Sequence, residues 1–404
     1  MPNLSDRARW ALESALSRAG SAVDQGVLRF MRRAMNATAG RRDAVTRADQ
    51  QGSRSVRASH GFSSPAAIAG DPRARLQEIA DHYRAAETEL FAPPPEPVVT
   101  EAERPARSAA VRVLDLSYAS RFVPTWPAYR DEFASYAANL NARARLYCGA
   151  GAPRPTVVCV HGWGGGRPWL EERAFVVPYL LRIGLDVALF QLPFHGQRTP
   201  AGAPRSGALF PGPNVVRTNE TFGQAVSDLR ALAMYLRRRG APAVGAIGMS
   251  LGGYTTALWA GLDDLAFAAA IIPAVSMARL FWSHGAGSTA RRRAEHAGVT
   301  ADLLDEAFAV HAPLRRQVLL SRERLLIAAA RGDRITPPEQ AEMLWRHWGE
   351  PELCWVAGGH LTQLARGDAF RAFRRLVSNL GLVPRNPPSG SAGPRRAGPP
   401  KGAA

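Results

Sequence analysis

The feature that most constrains this chain is a series of short, nearly continuous apolar segments alternating with segments of helical character. TVVCV, LDVALF, AVGAIGM, FAAAII and RLLIAAA each have the length of a strand and carry almost no polar residue. A strand with one face in water alternates apolar and polar residues; one without that alternation is covered on both faces. Between these segments lie EERAFVVPYLLRIG, TFGQAVSDLRALAMYLRRRG, GGYTTALWAG and PPEQAEMLWRHWG, and the last strand-like run, ELCWVAGG, is followed by AFRAFRRLVSNLG. Their periodicity, opening prolines and terminal glycines read as helices. Such alternation predicts an α/β protein whose mostly parallel central sheet is covered by helices on both faces.

The pattern divides the chain. Residues 111–382 form the α/β body. Within it the alternation breaks at 276–322, a helical insertion placed as a lid over the sheet's carboxyl edge. Residues 71–110 read as a helix plus a Pro-rich linker: Asp71 caps, Pro72 opens, and Leu76, Ile79, Ala80 and Tyr83 recur at helical spacing. APPPEPVVTEAERP is read as a stiff connector. Residues 1–70 are an Arg/Ala-rich extension, partly helical or disordered, in which Leu12, Leu16, Val23 and Val27 give part of a stripe. Residues 383–404 read as a disordered tail.

The formal charge of +17 invites a nucleic-acid reading. Yet Lys401 is the sole lysine, the basic excess lies partly in the tails, and no basic stripe interleaved with aromatics occurs, so no nucleic-acid partner is expected. An Arg-rich amphipathic N-terminus is also of the kind that touches a membrane surface weakly; packing on the body and mobility are the other readings. The longest apolar run, LAFAAAIIPAV, is broken by Pro273 and falls short of a span, and the N-terminus has no apolar signal core. Cys148, Cys159 and Cys354 show no metal-ligand or paired spacing and read as free thiols. A cytoplasmic protein is expected; the oligomeric state is left open.

At GMSLGG, Gly248 to Gly253, a lone serine sits where a strand-like run meets a helix-like one. Ligands collect at the carboxyl ends of parallel strands, and a tight strand–turn–helix needs small flanking residues. Three further segments stand at strand ends: HGWGGG after TVVCV, RGDRITPPEQ after RLLIAAA, and the Gly-rich GGHLTQ after ELCWVA. With Gly-x-Ser-x-Gly and the chain order Ser, Asp, His, the sequence resembles the α/β-hydrolase superfamily over about residues 110–382.

That resemblance implies a serine hydrolase with a triad of Ser250, Asp333 and His360. The serine hydroxyl is a weak nucleophile needing a base within hydrogen-bond reach; the histidine supplies it and the aspartate steadies the imidazolium. The implied oxyanion donors are the backbone N–H groups of Leu251 and of Trp163 or its neighbour Gly164. The rival reading of Asp333 is a helix cap before Pro337; the rival base, His347, lies inside a helix pattern. His161, Phe194, His195 and Trp282 are candidates for the substrate pocket, and Arg198, Asn214, Arg217 and Asn219 are either structural or pocket-facing. The turn QLPFHGQR departs from the Asp-x-Pro-Gly-His-Gly form many members carry, which weakens transfer of substrate class. The expected partner is a small acyl ester, with thioester or amide as variants, and no cofactor or metal is expected. An acyltransferase using the same acyl-serine, or a non-catalytic scaffold on the fold, are the alternatives.

Overall fold

The computed structural model describes residues 11–29, 71–106, 108–362 and 366–385. Expectations for residues 1–10, 30–70 and 386–404 lie outside the described residues. Nine strands form one sheet: β1 (Thr100–Arg104), β2 (Val111–Ala119), β3 (Asn141–Gly149), β4 (Thr156–Val160), β5 (Asp186–Gln191), β6 (Val244–Met249), β7 (Ala268–Ile271), β8 (Leu325–Ala330) and β9 (Glu352–Val356). Their order is β1-β2-β3-β5-β4-β6-β7-β8-β9. From β5 to β9 every pairing is parallel, whereas β1, β2 and β3 join antiparallel at one edge.

The helices are α1 (residues 11–29), α2 (Pro72–Ala85), α3 (Glu87–Leu90), α4 (Arg130–Ser135), α5 (Pro168–Ala174), α6 (Val177–Arg182) and α7 (Val215–Arg238). They continue with α8 (Leu251–Ala260), α9 (Met277–His284), α10 (Thr289–His296), α11 (Ala301–Ala307), α12 (Pro338–His347) and α13 (Arg366–Asn379).

Strands β4 to β8 are buried at every residue, as their unbroken apolar sequences require. Side chains of period two divide between two cores. Val158, Val160, Ala188, Phe190 and Ala246 meet α7, α8 and α12 on one face. Val157, Cys159, Val187, Leu189 and Ile247 meet α6 and α13 on the other. The parallel sheet and its two helical layers are therefore as expected.

Three local readings need correction. The helix read across EERAFVVPYLLRIG is two, α5 and α6, because Val176 takes a left-handed φ of 45°. The segment read as a stiff linker contains β1, whose five residues are all exposed and pair with β2. Helix α7 starts at Val215, six residues before the expected start at Thr221, with the Asn214 side chain accepting from Arg217 N at 3.0 Å. Helix formation in 11–29 follows the apolar stripe only in part, since Leu12 and Val23 are exposed while Gly20 and Asp24 are buried.

Topology positions the site. The chain leaves β4 for β5 on one side and then returns to β6 on the other. Between the carboxyl ends of β4 and β6 the connections diverge, opening the crevice that such sheets use for ligands.

Candidate active site

Ser250 stands directly after β6 with φ 56° and ψ −115°, outside the regions non-glycine residues normally occupy. Its backbone is held by Ser250 N donating to Ile271 O at 3.0 Å and by Ala274 N donating to Ser250 O at 3.2 Å. The two glycines flanking it have steric reasons. A Cβ on Gly248 would lie 2.0 Å from the Gly252 carbonyl oxygen, and one on Gly252 would lie 1.9 Å from that of Val160. Only hydrogen at both positions lets α8 start this close to β4 and β6.

Three side chains distant in sequence form one hydrogen-bonded chain. Ser250 Oγ donates to His360 Nε2 at 2.9 Å, and His360 Nδ1 donates to Asp333 Oδ2 at 2.7 Å. Asp333 is 1% exposed and His360 8%, while Ser250 is partly open to solvent. Asp333 is not a cap of α12; its Oδ1 accepts from Ile335 N at 2.9 Å and Thr336 N at 2.8 Å, fixing the carboxylate above the end of β8. Thr336 Oγ1 lies 2.9 Å from Asp333 Oδ2, so the oxygen facing the imidazole has a second polar neighbour. His347, the rival base, donates instead to Arg316 O at 2.6 Å, away from this group.

The HGWGGG loop lies against the serine: a Cβ on Gly162 would stand 3.4 Å from Ser250 Cβ. Gly165 N donates to Gly162 O at 3.1 Å, and Gly164 has φ 79°, the positive value a type II turn places at its third residue. Trp163 and Gly164 thus occupy the middle of a turn beside Ser250, while Leu251 begins α8 next to it. The Trp163 indole is drawn aside: its Nε1 donates to Gly207 O at 2.7 Å and the Arg205 guanidinium lies 4.3 Å above the ring.

The pocket candidates fare differently. His161 is buried beneath the loop, donating from Nδ1 to Gly162 O at 2.8 Å and accepting at Nε2 from Leu192 N at 3.1 Å. Burial lowers its pKa, consistent with a neutral ring that both donates and accepts. Phe194 and His195 are also buried rather than on an open wall, because Phe194 packs edge-on to Tyr136 and His195 donates to Pro193 O at 2.8 Å. Trp282, on α9, is partly exposed and stacks with Arg291 at 4.4 Å. Arg198 is structural: fully buried, it donates to Asp228 Oδ2 at 2.7 Å and to the carbonyls of Asn139 and Gln191. Asn219 holds Ala307 O at 2.9 Å, and Arg217 pairs with Glu132 at 3.0 Å, so both brace α7.

Sequence reasoning missed three residues around the site. Glu171, 6% exposed, accepts from Gly166 N at 2.9 Å and pins the far end of the HGWGGG loop. Thr336, whose hydroxyl lies 2.9 Å from Asp333 Oδ2, carried no motif of its own. Asp24 gave no signal. Among the described residues, no group of three or more His, Cys, Asp or Glu side chains is placed to hold a metal ion, and no helix is long and apolar enough to cross a membrane.

A parallel sheet whose five central strands are buried throughout, a strained serine at its switch point and an alpha/beta hydrolase fold family model matching residues 155–292 define the class: the chain belongs to the α/β-hydrolase superfamily. Within it, the chain is 33% identical over 299 residues to the uncharacterized protein Rv2627c of Mycobacterium tuberculosis, spanning 73% of this chain and 70% of that one. Among solved structures it is similar to an acetyl xylan esterase from Paenibacillus sp. R4, with a TM-score of 0.52, 16% identity and coverage of 74% of this chain and 94% of that one. Acetyl xylan esterase 1 from Thermoanaerobacterium sp. JW/SL YS485 superposes with a TM-score of 0.51 at 14% identity, covering 76% of this chain and 98% of that one. At these identities the two structures share the fold with this chain.

Proposed function

We propose that this protein is a serine hydrolase that cleaves a carboxylic ester through an acyl-serine intermediate. The observation carrying the proposal is the unbroken hydrogen-bonded chain from Ser250 Oγ through His360 to Asp333, with spacings of 2.9 Å and 2.7 Å. In the reaction, Ser250 Oγ attacks the ester carbonyl while His360 Nε2 takes its proton. Asp333 keeps the Nδ1–H tautomer and stabilises the imidazolium. The negative oxygen that forms is received by the N–H groups of Leu251 and of Trp163 or Gly164; one such donor is commonly worth about 3 kcal/mol. Collapse breaks the C–O bond, the imidazolium protonates the departing alcohol, and water then attacks the acyl-serine by the same steps.

The two similar structures are named as acetyl xylan esterases, in keeping with an oxygen ester of a small acyl group. The free thiols of Cys148, Cys159 and Cys354 suit a reducing compartment, and we assign the enzyme to the cytoplasm. A fluorophosphonate probe is expected to label the wild-type protein, and Ser250→Ala to abolish both labelling and ester hydrolysis with the melting temperature preserved. Labelling that persists in Ser250→Ala sinks the assignment. A series of p-nitrophenyl esters from acetate to laurate then fixes the acyl preference, and added acceptor alcohol measures how much acyl-enzyme is diverted to transfer.

A further inference from the structure

We propose that Asp24, on α1 and outside the segment that matches the hydrolase family, is a positioning residue for the Asp333–His360 pair of this site. The inference rests on the serine-hydrolase reading and adds an N-terminal component to it. The carboxylate of Asp24 is buried and gathers backbone N–H groups from two loops: Oδ2 accepts from His360 N at 2.7 Å and from Arg334 N at 3.1 Å, and Oδ1 from Leu361 N at 3.3 Å. One of these residues is the base itself, its neighbour is another, and the third directly follows Asp333. A single side chain therefore ties the loop after β8 to the loop after β9, at the point where Asp333 and His360 must stay in hydrogen-bond register.

The rest of that face of α1 is built for the same contact. Ser17, Gly20, Ser21 and Asp24 recur at helical spacing. Ser21 Oγ donates to Gly332 O at 2.6 Å, and Ser17 Oγ accepts from Gly358 N at 3.4 Å. The approach is as close as backbones allow: a Cβ on Gly20 would lie 2.1 Å from Gly359 N, and a Cβ on Gly332 would lie 2.2 Å from Ser17 O. A helix serving only to cover apolar surface would present leucines here. This one presents small and polar groups to the backbone of two loops, and Leu12 and Val23 face outward.

Backbone N–H groups that lose a buried acceptor turn to water or to each other, and the loops shift. A displacement of about 1 Å in a catalytic group costs on the order of 100-fold in rate. In the full-length chain, Asp24→Ala is expected to lower kcat for p-nitrophenyl acetate about 10- to 100-fold with KM nearly unchanged, and to slow fluorophosphonate labelling in proportion. Asp24→Asn, which keeps one acceptor oxygen, is expected to fall between, and Gly20→Ala to reproduce the loss by wedging α1 outward. Val113→Ala, a core change on β2, serves as the stability control: it should lower the melting temperature without slowing labelling. Should Asp24→Ala fail to fold, Asp24→Asn and Gly20→Ala are read in its place.

Folded Asp24 variants that label and turn over within twofold of wild type overturn the inference, whatever their melting temperature, and leave the hydrolase reading intact. A wild-type protein that neither labels nor hydrolyses any ester overturns both.

Discussion

At the scale of single residues, the hydrogen-bonded chain of Ser250, His360 and Asp333 was easier to read than its supports. Ser250 directly follows β6, Asp333 comes three residues after β8 and His360 four residues after β9, each with a glycine close by in sequence, so type, order and position agree. Thr336 and Glu171 act through geometry that no motif announces: one hydroxyl 2.9 Å from the Asp333 carboxylate, one carboxylate 2.9 Å from Gly166 N. Removing the hydroxyl by Thr336→Val leaves that oxygen one neighbour short and is expected to lower kcat about 5- to 10-fold, the rate equivalent of a hydrogen bond worth ~1 kcal/mol; steady-state kinetics on p-nitrophenyl acetate checks it. The Arg198–Asp228 pair is a separate matter, since burial raises the Asp228 pKa while the arginine opposes that shift. Breaking such a buried pair by Arg198→Met leaves a carboxylate without its partner and should cost about 3–5 kcal/mol in urea unfolding. Combining it with Asp228→Leu should recover much of that loss.

At the scale of elements, the elbow depends on the distance between β4, β6 and α8. A methyl group on Gly252 would stand 1.9 Å from the Val160 carbonyl oxygen, so Gly252→Ala must push α8 off the sheet. Overpacking of this kind costs about 1–3 kcal/mol. Because the displaced helix begins at Leu251, directly after Ser250, fluorophosphonate labelling should fall further than the melting temperature alone explains. Most elements that pack on the apolar core were legible, although the break between α5 and α6 and the first turns of α7 were not; β1 and α1, which bury few apolar side chains, were misread. Strand β1 has no alternation because both its faces are exposed; its charges pair across the strand, Glu103 with Arg112 and Arg104 with Asp115, as edge strands do when they must resist further pairing. The apolar stripe of α1 misled for the opposite reason, since its working face is polar.

At the scale of the whole molecule, three buried histidines make stability depend on acidity. His161, His195 and His311 are all held below the usual histidine range, first by burial, with His311 at about 3. Between that value and the unfolded pKa of about 6.5, the unfolded chain binds a proton that the folded one refuses, so acidification favours unfolding. Stability should be fully present above about pH 6.5 and fall by up to ~1.4 kcal/mol per pH unit for each such ring below it. Urea midpoints at neutral and mildly acidic pH measure the decline, and His311→Gln should make it shallower. What the sequence determined by itself was the layered α/β body and the order of serine, aspartate and histidine along it, because burial on two faces and tight turns restrict which residues are permitted locally. Tertiary structure alone decided that an N-terminal helix reaches the loop carrying His360, that Phe194 and His195 belong to the interior, and that a row of exposed charges is a strand. Each of these depends on which distant backbone groups a side chain meets, and local residue spacing holds no record of that.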